Sequence, residues 1–266
     1  MGVSYRGTEF CGWQRQSGSG AEGPYGGDSI QGKLEAALAK MTQESPSVVG
    51  SGRTDSGVHA VGQCAHFVLK GREWDPSILK NGLNSLVGPR IQIRDVRKVP
   101  LDFHAQRSAV KKQYSYYFQQ GPCAVAHLEP YSWWIRKTLN VAAMNEALAD
   151  LKGRHDFRPF QASGAPEGRS TVREILEADV RVEPISFPGE VDAGFHWVRV
   201  RLVGTGFLKQ MVRGIAGTLL QIGEGRRAVS GIRDILETGA RAEVGPTAPA
   251  RALWLEKVWY PDYFGV

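Results

Sequence analysis

Gly50-Ser51-Gly52-Arg53-Thr54-Asp55-Ser56-Gly57-Val58-His59-Ala60 is a glycine-punctuated turn between two short apolar stretches. Thr-Asp-Ser-Gly is good turn chemistry, because Asp bonds its own backbone and Gly accepts positive φ. A short strand ends near Gly50, and a second spans 59–69 with Val61, Ala65, Phe67 and Leu69 on one face and Gln63 as the exception. Upstream, Asp28 caps a helix with Gln31 at the capping-box position and Ile30, Leu34, Ala37, Leu38 and Met41 in one apolar stripe. Downstream, Asp75-Pro76 takes the cap and first-turn positions of a helix carrying Ile78, Leu79, Leu83 and Leu86. Strands at 2–5 and 91–98 close the set, and the Gly-rich stretch from Gly12 to Gly27 reads as a mobile loop. The order is β-α-β-β-α-β.

The second half repeats that order. A strand at 108–118 places Tyr114, Tyr116 and Phe118 on one face. Asn140 caps a helix with Val141, Met144, Leu148 and Leu151 in register, stopped by Gly153. Strands follow at about 171–183 and 195–203, where Val198, Val200 and Leu202 alternate with Arg199 and Arg201. A long helix at about 207–222 carries Leu208, Met211, Val212, Ile215, Leu219 and Ile222. A short helix then runs from Ser230 to Gly239, and a last strand lies near 252–260. The expected class is α+β: two ferredoxin-like halves whose mainly antiparallel sheets join across a central basic cleft, with helices on one side. The boundary falls near 100–107, giving 1–104 and 105–266 as the two halves.

Composition narrows the class further. The chain has 266 residues, 42% hydrophobic and 23% charged, with a formal net charge of +6. These are ordinary globular values, long enough for one or two domains with a proper core. No stretch reaches the roughly 18 apolar residues of a membrane helix, and no apolar run follows Met1-Gly2-Val3-Ser4-Tyr5-Arg6 as in a secretory signal. Cys11, Cys64 and Cys123 are odd in number and far apart. That argues against a disulfide framework or a cysteine zinc site, and for a cytosolic setting. The basic excess favours an anionic partner such as nucleic acid without proving one.

The turn at 50–60 is also the segment richest in chemistry, since it presents one arginine and one carboxylate two residues apart. A phosphate-cradling loop needs Gly-Lys-Ser/Thr before a helix, which is absent. A metal site needs more ligands than Asp55 and His59 at a recognisable spacing. A plain β-turn and a catalytic loop both remain open at the level of these residues.

The wider sequence resembles the TruA-type tRNA pseudouridine synthases. Gly52-Arg53-Thr54-Asp55-x-Gly57-Val58-His59-Ala60 looks like the signature loop of that family. Similar segments follow in family order: Gly12-Trp13-Gln14-Arg15-Gln16, Ser29-Ile30-Gln31, Phe103-His104-Ala105-Gln106-Arg107-Ser108-Ala109 and Tyr114-Ser115-Tyr116. Gly206-Phe207-Leu208-Lys209-Gln210-Met211-Val212-Arg213, Ala248-Pro249-Ala250 and Leu253-x-Leu255 complete the set. Arg6, Gly214 and Ala252 depart from the family's usual Asp, Asn and Gly, and the first strand looks clipped at its start.

The resemblance implies isomerisation of uridine to pseudouridine in tRNA, typically at positions 38, 39 and 40 of the anticodon stem-loop, with no cofactor and no metal. It makes Asp55 the nucleophile and Arg213 its cationic partner. At about 4 Å and an effective dielectric near 20 that attraction is on the order of 4 kcal/mol before desolvation. Tyr114 would stack on the uracil or assist removal of the C5 proton; a phenol with a pKa near 10 is a poor base at neutral pH, which favours stacking. Arg53 would enter the stem and hold the base flipped out. Arg53, Tyr114, His59 and Gln63 are the expected substrate contacts, and Arg15, Arg107, Lys111, Lys112, Lys209 and Gln210 the expected RNA contacts. The Gly-rich insertion at 17–27 stands where the family has an RNA-gripping loop. Family members grip one tRNA as homodimers, so a cytoplasmic homodimer is expected. An RNA-binding module of the same fold without chemistry, and a small-molecule α/β enzyme with an aspartate base, are the competing readings.

Overall fold

A computed structural model describes residues 1–15, 28–164, 168, 170–185 and 194–266. The Gly-rich loop expected at 17–27 lies outside them. In chain order the elements are β1 (Gly2–Tyr5), α1 (Ile30–Thr42), β2 (Val49–Gly50), β3 (His59–His66), α2 (Pro76–Val87), β4 (Ile91–Asp95) and β5 (Lys111–Gln120). Then come β6 (Trp133–Ile135), α3 (Val141–Ala149), β7 (Gly153–Asp156), β8 (Val172–Pro184), β9 (His196–Gly204), α4 (Met211–Gly223), α5 (Gly231–Thr238) and β10 (Leu253–Trp259). The chain is mixed α+β with mostly antiparallel strand pairing, as expected. No helix among the described residues is long and apolar enough to cross a membrane. Contacts divide it into two compact units, Met1–Lys112 with Trp254–Val266, and Gln113–Leu253.

In the first unit, β1 lies between β4 and β3, antiparallel to both; β2 pairs antiparallel with β3, and β10 runs parallel to it. The element order up to β4 is the β-α-β-β-α-β read from the sequence. The helix starts differ from that reading in one case. Asp75 caps α2 as expected, its Oδ1 accepting from the Ser77 and Ile78 amides at 2.8 and 3.3 Å. Ser29, not Asp28, caps α1: its backbone is extended, and its Oγ accepts from the Gly32 amide at 3.0 Å. Asp28 instead pairs with Lys33. Gln31 closes no capping box, because its Oε1 accepts from the Arg15 amide.

Helix α1 buries Ile30, Leu34, Ala37 and Leu38, and α2 buries Leu79, Leu83 and Val87. Each such aliphatic side chain contributes roughly 1.5–3 kcal/mol. Ile78 and Leu86, read as part of the α2 stripe, are exposed, since the i, i+4 row of 79, 83 and 87 takes the inner face. On β3 the exception is reversed: Gln63 is buried beside Ala65, and Val61 is exposed.

Phe103 rings lie 5.1 Å from both Tyr260 and Phe264, and the Tyr260 hydroxyl donates to the Ala105 carbonyl at 2.6 Å. The C-terminal segment thereby packs with the first unit.

The second unit orders its strands β5-β9-β8-β7, with β6 parallel to β5. The short β6 and β7 had no periodic signal in the sequence. Val198, Val200 and Leu202 of β9 are buried as read, while Arg199 and Arg201 on the other face pair with Glu183 and Asp179 at 2.9 and 2.7 Å. Asn140 caps α3 by accepting from the Ala143 amide at 3.0 Å. Helix α4 buries Met211, Val212, Ile215, Leu219 and Ile222, but begins at Met211 rather than 207. Gln210, at φ +60°, takes a left-handed conformation that breaks the helix there.

Candidate active site

Asp55 sits on a loop held from several sides. The Asp55 carbonyl accepts from the Val58 amide at 3.1 Å, closing a turn over 55–58, one residue on from the Thr54–Gly57 reading. The preceding residue, Thr54, accepts at its carbonyl from the Trp13 amide at 3.0 Å and shares a 2.8 Å hydroxyl bond with Tyr5. The following residue, Ser56, donates to the Phe10 carbonyl at 3.0 Å. Gly12 lies so close that a Cβ on it would stand 2.8 Å from the Thr54 oxygen and 3.2 Å from the Asp55 carbonyl carbon. The carboxylate residue itself is half-buried and Arg53 is exposed. A short polar residue is thus fixed at its backbone, with its side chain at the edge of solvent.

Below this loop, Gln63 is the tie. Its Oε1 accepts from the Ser51 hydroxyl and amide at 2.6 and 3.2 Å, and its Nε2 donates to the Gly52 carbonyl at 3.0 Å. This explains its place on a buried face: every polar atom of the amide is used. His59 is buried too, its Nδ1 accepting from the Gly7 amide at 3.1 Å and its ring stacked 4.3 Å from Trp254. Both residues therefore support the loop within the protein. Burial pushes the Tyr5 phenol up to about 12, partly offset by its bonds to Thr54 and Gln63, so it stays protonated as a donor near neutral pH.

The second unit carries Tyr114 and Arg213. Tyr114 is buried on β5, edge-on to Phe207 with ring centroids 5.0 Å apart. Its neighbours along the strand, Tyr116 and Phe118, are wholly buried as read, and the Tyr116 hydroxyl donates to the Pro249 carbonyl at 3.0 Å. Arg213 is half-buried on the first turn of α4. Its Nε donates to the Ala248 carbonyl at 2.7 Å, and its own carbonyl accepts from the Ala248 amide at 3.2 Å. This clasp uses one of the five guanidinium donors and fixes the plane of the fork.

The expected RNA contacts are scattered over both units. Arg15 is exposed, 3.7 Å from Glu35. Arg107 is exposed, with its amide on the His104 ring. Lys111 and Lys112 alternate on β5: Lys111 lies over the Trp259 ring at 4.8 Å, and Lys112 donates to the Ser51 carbonyl. Lys209 is exposed and Gln210 half-buried just before α4. Sequence reading passed over Tyr5, Thr54, Gly12, Phe207 and Ala248 as working parts. The quoted motifs contained Thr54, Gly12, Phe207 and Ala248, but local spacing gives no signal for contacts 35 to 93 residues apart.

The loop holds the Asp55 backbone in place, and the second unit carries an oriented Arg213 guanidinium and a Tyr114 ring packed on Phe207. Comparison with known proteins gives the chain's kind. A model of the tRNA pseudouridine synthase family matches residues 1–106 and 147–261. The chain belongs to the tRNA pseudouridine synthase family, whose members are isomerases. Asp55 and Arg213 fall inside the matched stretches and Tyr114 between them. A tRNA pseudouridine synthase A of Syntrophotalea carbinolica is 40% identical over 258 residues, 97% of this chain and 94% of the relative. Those of Agrobacterium fabrum and Bdellovibrio bacteriovorus are each 38% identical over 265 residues, 98% of this chain and 92% and 94% of the relatives.

Proposed function

We propose that this protein converts uridine to pseudouridine at one or more of positions 38, 39 and 40 of the tRNA anticodon stem-loop, with Asp55 as the nucleophile. The observation that supports this most is the bracing of Asp55 on both sides, through Thr54 and Ser56. A nucleophile gains rate from being held in place before the substrate arrives.

In the reaction the C1′–N1 bond of uridine breaks, the uracil turns, and C5 bonds to C1′ while the C5 proton leaves. Asp55 attacks as the carboxylate. Arg213, its fork fixed by Ala248, serves the anionic carboxylate or the charge that develops beside it. Tyr114 offers a ring for the uracil, where stacking is worth roughly 1–3 kcal/mol per base. Arg53, exposed on the loop, holds the extruded base and its backbone. The exposed Arg15, Arg107 and Lys209, with Lys111 and Lys112, are proposed to follow the RNA phosphates. His59 and Gln63 act through the loop they support. The protein works in the cytoplasm as a homodimer, needing neither cofactor nor metal.

The test is incubation of the purified protein, with EDTA and no cofactor, with unmodified tRNA transcripts carrying uridine at 38–40. Pseudouridine is mapped by carbodiimide labelling and primer extension. Wild type should modify one or more of these positions and Asp55→Ala none, with tRNA still bound. Binding by wild type without product would instead favour a catalytically silent RNA-binding module.

A further inference from the structure

We propose that the hollow where α4 begins is a phosphate-binding subsite, and that it takes a backbone phosphate of the RNA substrate. The hollow is open to solvent, has a cavity volume of about 70 Å³, and is lined by Phe160, Val244, Gln210, Arg241 and Thr247 among others. Each polar side chain on this lining can donate a hydrogen bond, and among the described residues no carboxylate lines it. A lining with an arginine and no carboxylate suits an anion better than a divalent cation, whose sites are built largely on Asp and Glu oxygens. Phe160 is 1% exposed, so it offers no ring face on which a nucleobase could stack.

Two further features point to an anion. Arg241 anchors one nitrogen, Nη1, on the carbonyls of Pro159 and Gln161. Those partners are neutral, so they orient the guanidinium without cancelling its charge, and its Nε and Nη2 donors remain to be used. Gln210 holds φ +60° at the start of α4, a conformation that costs a side-chain-bearing residue roughly 1 kcal/mol and glycine nothing. A glutamine in glycine's place is accounted for if its amide is needed at the rim.

The inference rests on the tRNA reading above, and its test separates the two. Binding of an anticodon stem-loop RNA by the intact protein is measured across a salt series. Arg241→Gln keeps an amide donor for the two carbonyls while removing the charge. It should weaken binding about tenfold and reduce the slope of log K against log salt by about one. Gln210→Gly, which suits the backbone, should melt no lower than wild type, yet bind several-fold more weakly with an unchanged slope. An unchanged slope for Arg241→Gln, or wild-type affinity for Gln210→Gly, overturns the proposal. Inorganic phosphate is titrated in parallel by calorimetry: if Arg241→Gln loses phosphate binding but not RNA affinity, free phosphate is the ligand and the RNA assignment is wrong. Pseudouridine formation with an unchanged slope removes the subsite alone. A reduced slope with no pseudouridine in any transcript removes the catalytic reading alone.

Discussion

The hydroxyls of Tyr5 and Thr54 lie 2.8 Å apart in the interior, one residue ahead of Asp55. This bond joins the first strand of the chain to the candidate catalytic loop across 49 residues of sequence. Tyr5→Phe removes it and leaves the buried Thr54 hydroxyl short of a partner, at a cost of about 1–3 kcal/mol. Because the loss falls beside the proposed nucleophile and away from the proposed RNA contacts, kcat for pseudouridine formation should drop while the Kd for tRNA holds. Urea unfolding and single-turnover kinetics read the two effects separately.

Arg213 is tied at Nε to the Ala248 carbonyl, which holds its guanidinium in a fixed plane. Lysine has a point charge and no second donor site on its stem to make that tie. Arg213→Lys should therefore keep the charge and lose its aim. The expected result is a fall in kcat of at least tenfold, with tRNA affinity changed less than threefold. Equal losses in both would place Arg213 in general RNA attraction instead.

These two residues also show what sequence makes legible. A turn in this loop, found one residue on at 55–58, the Asp75 and Asn140 caps, the alternation on β9 and the apolar stripe of α4 from Met211 onward follow from short-range rules. Gln63 broke the apolar pattern of β3 because its environment is polar: the loop's own Ser51 and Gly52 supply its partners. Ser29 won the α1 cap from Asp28 by backbone conformation, which composition does not encode. Leu208 fits the α4 stripe, yet the helix starts later because Gln210 is left-handed. The C-terminal strand joined the first unit through contacts more than 150 residues apart, such as Tyr260 with Ala105.

His66 gives the fold an acid-sensitive point. Its Nδ1 accepts from the Ala105 amide at 3.2 Å, and its ring lies 4.8 Å from that of His104. Burial lowers its pKa, and the nearby positive charges of His104, the N-terminal amine and Arg107 lower it further. The unfolded chain, with an ordinary pKa near 6.5, takes up the proton first. Stability should thus be constant above about pH 6.5 and decline as the pH falls below it. His66→Asn retains an acceptor near the Ala105 amide and cannot titrate. The urea midpoint of this variant should fall less between pH 7.5 and 5.5 than that of wild type; parallel curves would assign the acid loss to other groups.

Gly12 and Gly88 separate backbone strain from loop displacement. Both have positive φ, +107° and +80°. A Cβ on Gly88 meets nothing within 4 Å, so Gly88→Ala carries only the conformational cost of its φ +80°, ψ 175° backbone, about 1–3 kcal/mol, with no change in rate. A Cβ on Gly12 meets the Thr54 oxygen at 2.8 Å, the Ser56 nitrogen at 3.1 Å and the Asp55 carbonyl carbon at 3.2 Å. All three are backbone atoms, which cannot swing aside as a side-chain tip would, so the loop itself must move. Overpacking then adds roughly 1–3 kcal/mol to the conformational cost. Gly12→Ala should lose more stability than Gly88→Ala and also shift Asp55, and a misplacement near 1 Å is enough to cost about a hundredfold in kcat. If the two alanine variants turned over tRNA at equal rates, the position of the Asp55 backbone would not limit the reaction.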